Sequence, residues 1–227
     1  MDAPAAALLP ARDGTATTPS GPTTRGARRD APPHAGGAGP TLGALRDLVA
    51  RPLVAAVVLL VCYLGAAALN NPRGFLGTDT GAKVATLQVM QSRHSFVPDA
   101  GYWAAADDPS GSLHPLYDTR HVGSHYVAVT TLPMILLARP LWALGGDRLA
   151  LLLPMLGAVA VAAAARALAK RLGSRAPATV FWVIGLGSPM FLYALDLWEH
   201  TLGLACMAWA IVLLHDTWSK HASWRAA

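Results

Sequence analysis

Five long apolar runs divide the chain: Pro52 to about Leu69, Tyr126–Leu144, Leu149–Leu168, Ala178–Leu195 and about Leu202–Leu214. Pro52 suits a first helical turn, where a missing N–H costs nothing. Arg46 and Arg51 precede the first run, and Asn70-Asn71-Pro72 ends it. At ~1.5 Å per residue such a run crosses a hydrocarbon layer of ~30 Å. The second run differs, because Thr130, Thr131, Pro133, Arg139 and Pro140 interrupt it. It is expected to be re-entrant, tilted or peripheral. The third is Ala-rich from Gly157 to Ala165, which lets helices approach closely in lipid. The fourth contains Gly187-Ser188-Pro189, which predicts a kink or an early end.

Between the first two runs, residues 71–125 are polar and mixed, too long a stretch for a plain connector. Within it Ala82, Ala85, Leu87 and Met90 predict a short amphipathic helix over about residues 80–92, suited to a membrane surface. Residues 1–44, rich in Ala, Pro, Gly and Thr, lack apolar periodicity and are expected to form a disordered cytoplasmic tail. They are not a secretory signal, because the first long apolar run starts beyond residue 50. Residues 45–218 then form a transmembrane module with 71–125 as its outer loop, and 219–227 a short polar tail.

Charge decides the orientation. Residues 1–51 carry six Arg and four Asp, and residues 166–175 carry four basic groups and no acid. The positive-inside rule puts both segments, and hence the N-terminus, in the cytoplasm. An even number of crossings must separate them, so one of the three intervening runs does not cross. The interrupted run 126–144 is the weakest. The expectation is an all-α, multi-pass cell-membrane protein of four full spans plus one re-entrant or peripheral segment. Asp79 and residues 196–200 then emerge on the same outer face.

Composition agrees, with 53% hydrophobic and only 14% charged residues, against about 25% charged in ordinary soluble domains. Two cysteines, Cys62 and Cys206, both in apolar runs, exclude a disulfide framework and a CxxC zinc site. The net charge of +5 comes without a dense basic patch interleaved with aromatics, so no nucleic-acid partner is expected. GxGxxG, Walker, GxSxG and kinase signatures are all missing.

Three clusters carry candidate chemistry. Gly77-Thr78-Asp79-Thr80-Gly81-Ala82-Lys83 follows the first span, and its acid needs solvent or a partner near the headgroups. Asp79 equally suits an N-cap for the 80–92 helix. Asp196-Leu197-Trp198-Glu199-His200 puts three ionisable groups on one face if helical, a candidate site for a divalent metal such as Mg or Mn. The same residues also read as a capping box opening the last span. His114, Asp118, His121 and His125 have a helical metal spacing, weakened by Pro115 and Gly123, and are expected to be loop residues near headgroups. Lys83, Arg93 and Arg120 are candidate phosphate contacts. Trp103, Trp142, Trp182, Trp198 and Tyr193 suit interfacial anchoring.

The order of these features resembles the N-terminal module of GT-C membrane glycosyltransferases of the protein-mannosyltransferase and aminoarabinose-transferase type. It runs from a first span through an outer loop opening on an acid to an apolar stretch introduced by His114-Pro115-Leu116-Tyr117 and containing Thr130-Thr131-Leu132-Pro133. A span with Leu152-Leu153-Pro154, a basic turn and a second acidic motif follow. The resemblance spans roughly residues 50–215 and is one of layout and short motifs. It implies sugar transfer from a polyprenyl-phosphate donor at the outer face. Asp79 would be the catalytic base, Lys83, Arg93 and Arg120 would contact substrate, and Asp196, Glu199 and His200 would hold the donor phosphate through a divalent metal. Members of the family have more spans and often a C-terminal domain, so the chain is expected to be a partial enzyme. A non-catalytic membrane scaffold or partner subunit is the alternative, motivated by the small-residue face at 157–165. A transporter has little support, because no internal repeat is visible.

Overall fold

Proline placement sets where several helices start. Pro40 opens α1 (Pro40–Val49), Pro52 opens α2 (Pro52–Leu69) and Pro177 opens α6 (Pro177–Leu186). The remaining elements are α3 (Asp79–Ser92), β1 (Thr119–Val122), β2 (His125–Ala128), α4 (Leu132–Ala150), α5 (Leu152–Arg171), α7 (Met190–Ala194) and α8 (His200–Ala226). The structure is a computed structural model that describes residues 40–71, 79–116, 119–130 and 132–226, all within one compact unit. The expected tail therefore lies outside the described residues up to residue 39.

The protein is mostly helical, and among the described residues three helices are long and apolar enough to cross a membrane. These are Pro52–Leu69 with 18 residues, and Leu152–Arg171 and His200–Ser219 with 20 each. They leave large apolar side chains such as Leu53, Val61, Leu156, Ile211 and Leu214 outward-facing, as a lipid-facing surface requires.

Contacts between helix ends fix how the bundle is arranged. α5 and α8 run side by side in the same direction. Near their starts, Gly157 meets Thr201, so closely that an added Cβ would lie 2.8 Å from the Thr201 carbonyl carbon. The Trp209 indole N–H then donates to the Ala160 carbonyl at 3.1 Å. At their far ends Arg171 Nη2 donates to Asp216 Oδ2 at 2.7 Å. Parallel neighbours need a return segment, and α6 with α7 provides it. α2 is tied to the same group: Arg166 Nη2 donates to the Ala50 carbonyl at 2.5 Å, and the Tyr63 hydroxyl donates to the Gly185 carbonyl at 2.7 Å. Ala50, Arg166, Arg171 and Asp216 thus share one end of the bundle. The core between the helices gathers Ala55, Leu59, Tyr63, Met155, Ala158, Ala162 and Phe181.

Several expected boundaries need correction. Residues 40–44, assigned to the disordered tail, belong to α1, where Leu42, Leu45 and Leu48 recur every three residues. The run 126–144 begins in a strand: β2 pairs with β1 antiparallel through a two-residue turn, with Val122 opposite His125. Gly123 takes φ +63° there, a value that favours glycine. The helical part of that run extends to Ala150 and is bent at Gly145 and Gly146, the latter at φ 64°, ψ −151°. The break expected at Gly187-Ser188-Pro189 is present and divides the run 178–195 into α6 of 10 residues and α7 of five. The last helix starts at His200 and continues through the expected polar tail to Ala226, since residues 215–226 contain neither Gly nor Pro. The amphipathic helix is present as α3, but Thr80, Gly81, Ala82, Lys83, Thr86, Leu87 and Met90 are buried within the protein. Small residues at its start allow this close packing.

Candidate functional site

α3 begins at Asp79, and its first turn builds half of the site. Asp79 and Lys83 are four residues apart and therefore neighbours on the helix surface; the Lys83 ammonium donates to Asp79 Oδ2. The other half comes from the turn before α8. Lys83 Nζ also lies 2.7 Å from Glu199 Oε2, and the Thr80 hydroxyl donates to Asp196 Oδ1 at 2.5 Å. The two acidic clusters, 116 residues apart in sequence, meet at one place.

Burial is unequal within the cluster. The Lys83 side chain is fully enclosed, whereas those of Asp79 and Glu199 are 40% and 32% exposed. An enclosed ammonium ion costs several kcal/mol in lost hydration unless carboxylates surround it, and here two do. The outcome is an enclosed cation between two partly exposed acidic side chains; the Glu199 oxygen on Lys83 is itself buried, which leaves Asp79 as the acid better placed to accept a proton from solution.

The turn at 195–199 replaces the expected capping box. The Leu197 N–H donates to Asp196 Oδ1 at 2.8 Å and the Trp198 N–H to the Asp196 carbonyl at 2.8 Å. α8 starts at His200, and the Gly203 N–H donates to the Glu199 carbonyl at 2.9 Å. Glu199, not Asp196, therefore occupies the position before the helix. Asp196, Glu199 and His200 do not share a helical face, because the first two precede the helix. His200 instead stacks on Tyr193, with centroids 5.5 Å apart and planes 20° apart, and lies 5.2 Å from Trp198. With Asp196 on Thr80, Glu199 on Lys83 and His200 among aromatic rings, the three do not fit a shared metal, and no group of three metal-ligating side chains occurs among the described residues.

The other candidates lie apart from this cluster. Arg93 donates to Asp99, and Arg120 is exposed on β1. His114 Nε2 sits 2.8 Å from the Gly101 carbonyl, His121 stacks on Tyr126 at 4.7 Å, and His125 Nδ1 is 3.1 Å from Asp99 Oδ2. His114 also stacks on Tyr126, at 6.0 Å, so the three serve contacts within the loop, and Asp118 lies outside the described residues. Of the aromatic residues, Trp103 is 89% exposed, while Trp142 and Trp182 pack against the core.

Two contributors were not singled out in the sequence. Thr80 bridges the clusters. Asp99, almost fully buried, organises the loop: it accepts from the Gly101 N–H at 2.8 Å and the Tyr126 N–H at 3.1 Å, besides Arg93 and His125. Burial by itself raises its pKa, but these hydrogen bonds and the Arg93 charge outweigh it, and the carboxyl is held below its ordinary value. The Pro98-Asp99-Ala100-Gly101 string is a turn signal that marks this residue.

Comparison of the chain with family models, curated proteins and solved structures returns no match.

Proposed function

We propose that the Asp79 cluster carries out glycosyl transfer from a polyprenyl-phosphate sugar at the outer face of a cell membrane. The meeting of Asp79 and Glu199 on the buried Lys83 carries this reading. It supplies a half-exposed carboxylate, held in place, beside a second acidic motif from a distant part of the chain. Asp79 accepts the proton of the acceptor hydroxyl. The freed oxygen bonds to the anomeric carbon, and the bond from that carbon to the donor phosphate breaks, its electron pair leaving with polyprenyl phosphate. Lys83 positions the base, and Glu199 holds Lys83. Lys83 and Arg93 each already hold a carboxylate, and Arg120 lies apart from the cluster on β1, so in this proposal the donor phosphate contact falls to none of the three. No step uses a metal.

In this reading α2, α5, α6 with α7, and α8 are four crossings, and α4 returns to the face it left. The paired helix ends support it. Ala128, just before α4, packs with Ala82 beside the cluster, and α4 leads directly into the start of α5, where Gly157 meets Thr201. The N-terminus then lies with the basic end, in the cytoplasm by the positive-inside rule. The partner-subunit alternative gains no such support. Its small-residue face is used within the chain, with Gly157 against Thr201 and Ala158 and Ala162 buried.

The test uses membranes containing the full protein, labelled polyprenyl-phosphate sugars as donors and a panel of hydroxyl acceptors. Asp79→Asn is expected to reduce transfer by about 100-fold or more, the range of a general base, with membrane insertion retained. Transfer that is undiminished in Asp79→Asn refutes the assignment.

A further inference from the structure

At the end of the bundle away from Asp79, a cavity of about 260 Å³ opens between α2, α5, α6 and α8. Its walls combine two kinds of surface. Pro52, Phe181 and Trp209 are apolar, while Arg166, Lys170 and Arg171 bring three cations. Arg166 and Lys170, four residues apart on α5, fall on one face of its last turns, and Arg171 lies about 100° round the helix from Lys170. Arg171 is neutralised by Asp216. Arg166 donates through Nη2 to the Ala50 carbonyl, but its Nη1 is buried without a hydrogen-bond partner among the described residues. Arg166 and Lys170 on one wall of the cavity are complementary in charge to an acidic headgroup.

We propose that this cavity binds one anionic phospholipid, its phosphate on Arg166 and Lys170 and its first acyl segment along Phe181 and Trp209. The occupant must be amphiphilic, because cations and apolar walls line the same space. A basic pocket between spanning helices is suited to an acidic headgroup. The Trp209 indole is held in the wall by its bond to Ala160, 3.1 Å. This site is independent of the transfer chemistry at Asp79.

The test is native mass spectrometry of the full chain in mild detergent, titrated with phosphatidylglycerol, with phosphatidylcholine of equal chain length, or with inorganic phosphate. The wild type should retain one phosphatidylglycerol in preference to phosphatidylcholine. The double variant Arg166→Gln, Lys170→Gln should weaken that retention about thirtyfold, from two near-surface charges. Ala167→Trp, which fills the cavity and leaves the charges, should weaken it as well, whereas Arg175→Gln, outside the cavity, should not. Equal retention of both lipids by the wild type overturns the proposal, a result readable even if a variant fails to fold. So does full retention by Ala167→Trp, which would mean mere surface attraction. Displacement of the lipid by millimolar phosphate alone would identify a free-phosphate site and overturn the lipid assignment.

Discussion

Removing charge from the Asp79–Lys83–Glu199 cluster should be strongly non-additive. Asp79→Asn or Glu199→Gln each leaves Lys83 one carboxylate, and both carboxylates are about one-third or more exposed. Water screens such pairs, so each single change should cost about 1 kcal/mol. The double variant is different, because Lys83 is fully enclosed. It would leave a buried ammonium with no counter-charge, and breaking such an arrangement costs about 3–5 kcal/mol. The expected coupling is therefore about 1–3 kcal/mol beyond the sum of the singles. Lys83→Met, which replaces the cation with an apolar chain of similar length, should cost less than the double variant, since the two acidic side chains left behind are partly exposed whereas Lys83 is fully enclosed. The assay is unfolding of the purified protein in mixed micelles by rising denaturing-detergent fraction, followed by helical circular dichroism. Additivity of the two single changes within about 0.5 kcal/mol would show that Lys83 does not depend jointly on both acids, and the description of the cluster would fail.

Other outcomes follow from the packing. Gly157→Ala should destabilise by about 1–3 kcal/mol in the same assay, because the new Cβ would lie under 3.0 Å from Thr201 and Leu202 backbone atoms that α8 holds in place. Gly185→Ala should cost less, since the nearest atoms to its Cβ belong to the Leu59 side chain, at 2.6 Å, and not to backbone; a larger loss than for Gly157→Ala would contradict this. Asp99 has a folded-state pKa below its unfolded value, so its stabilisation is present above that unfolded value, about 3.9, and disappears as pH falls through the lower folded value. Limited proteolysis of residues 93–128 should therefore accelerate only below about pH 4, and Asp99→Asn should remove that pH dependence. With Cys62 and Cys206 changed to Ser, an impermeant thiol reagent outside intact cells should label Trp103→Cys but not Ser174→Cys. Equal labelling would refute the assigned crossings.

Much of this protein could be read along the chain, because its determinants are local. A helix boundary depends on nearby residues, so Pro52, Asn70 and the Gly187-Ser188-Pro189 break were visible as sequence, as was the helix opening near Asp79. Apolar content alone marked α2, α5 and the last helix as candidates to cross lipid. The limits of local reading show at α8 and in the turn before it. Asp196 and Glu199 fit a capping box by spacing, yet the turn at 195–199 delayed the helix to His200, and Asp196 turned its carboxylate to Thr80. That outcome depends on α3, more than a hundred residues away in sequence, which no local pattern encodes. The same holds for Lys83. As a residue of an amphipathic helix it reads as a solvated charge, and only packing of α3 against the start of α8 encloses it and joins it to Glu199. Sequence placed the charges at helix ends; tertiary structure decided which ends meet, because burying an ion requires partners that only the folded chain brings within reach.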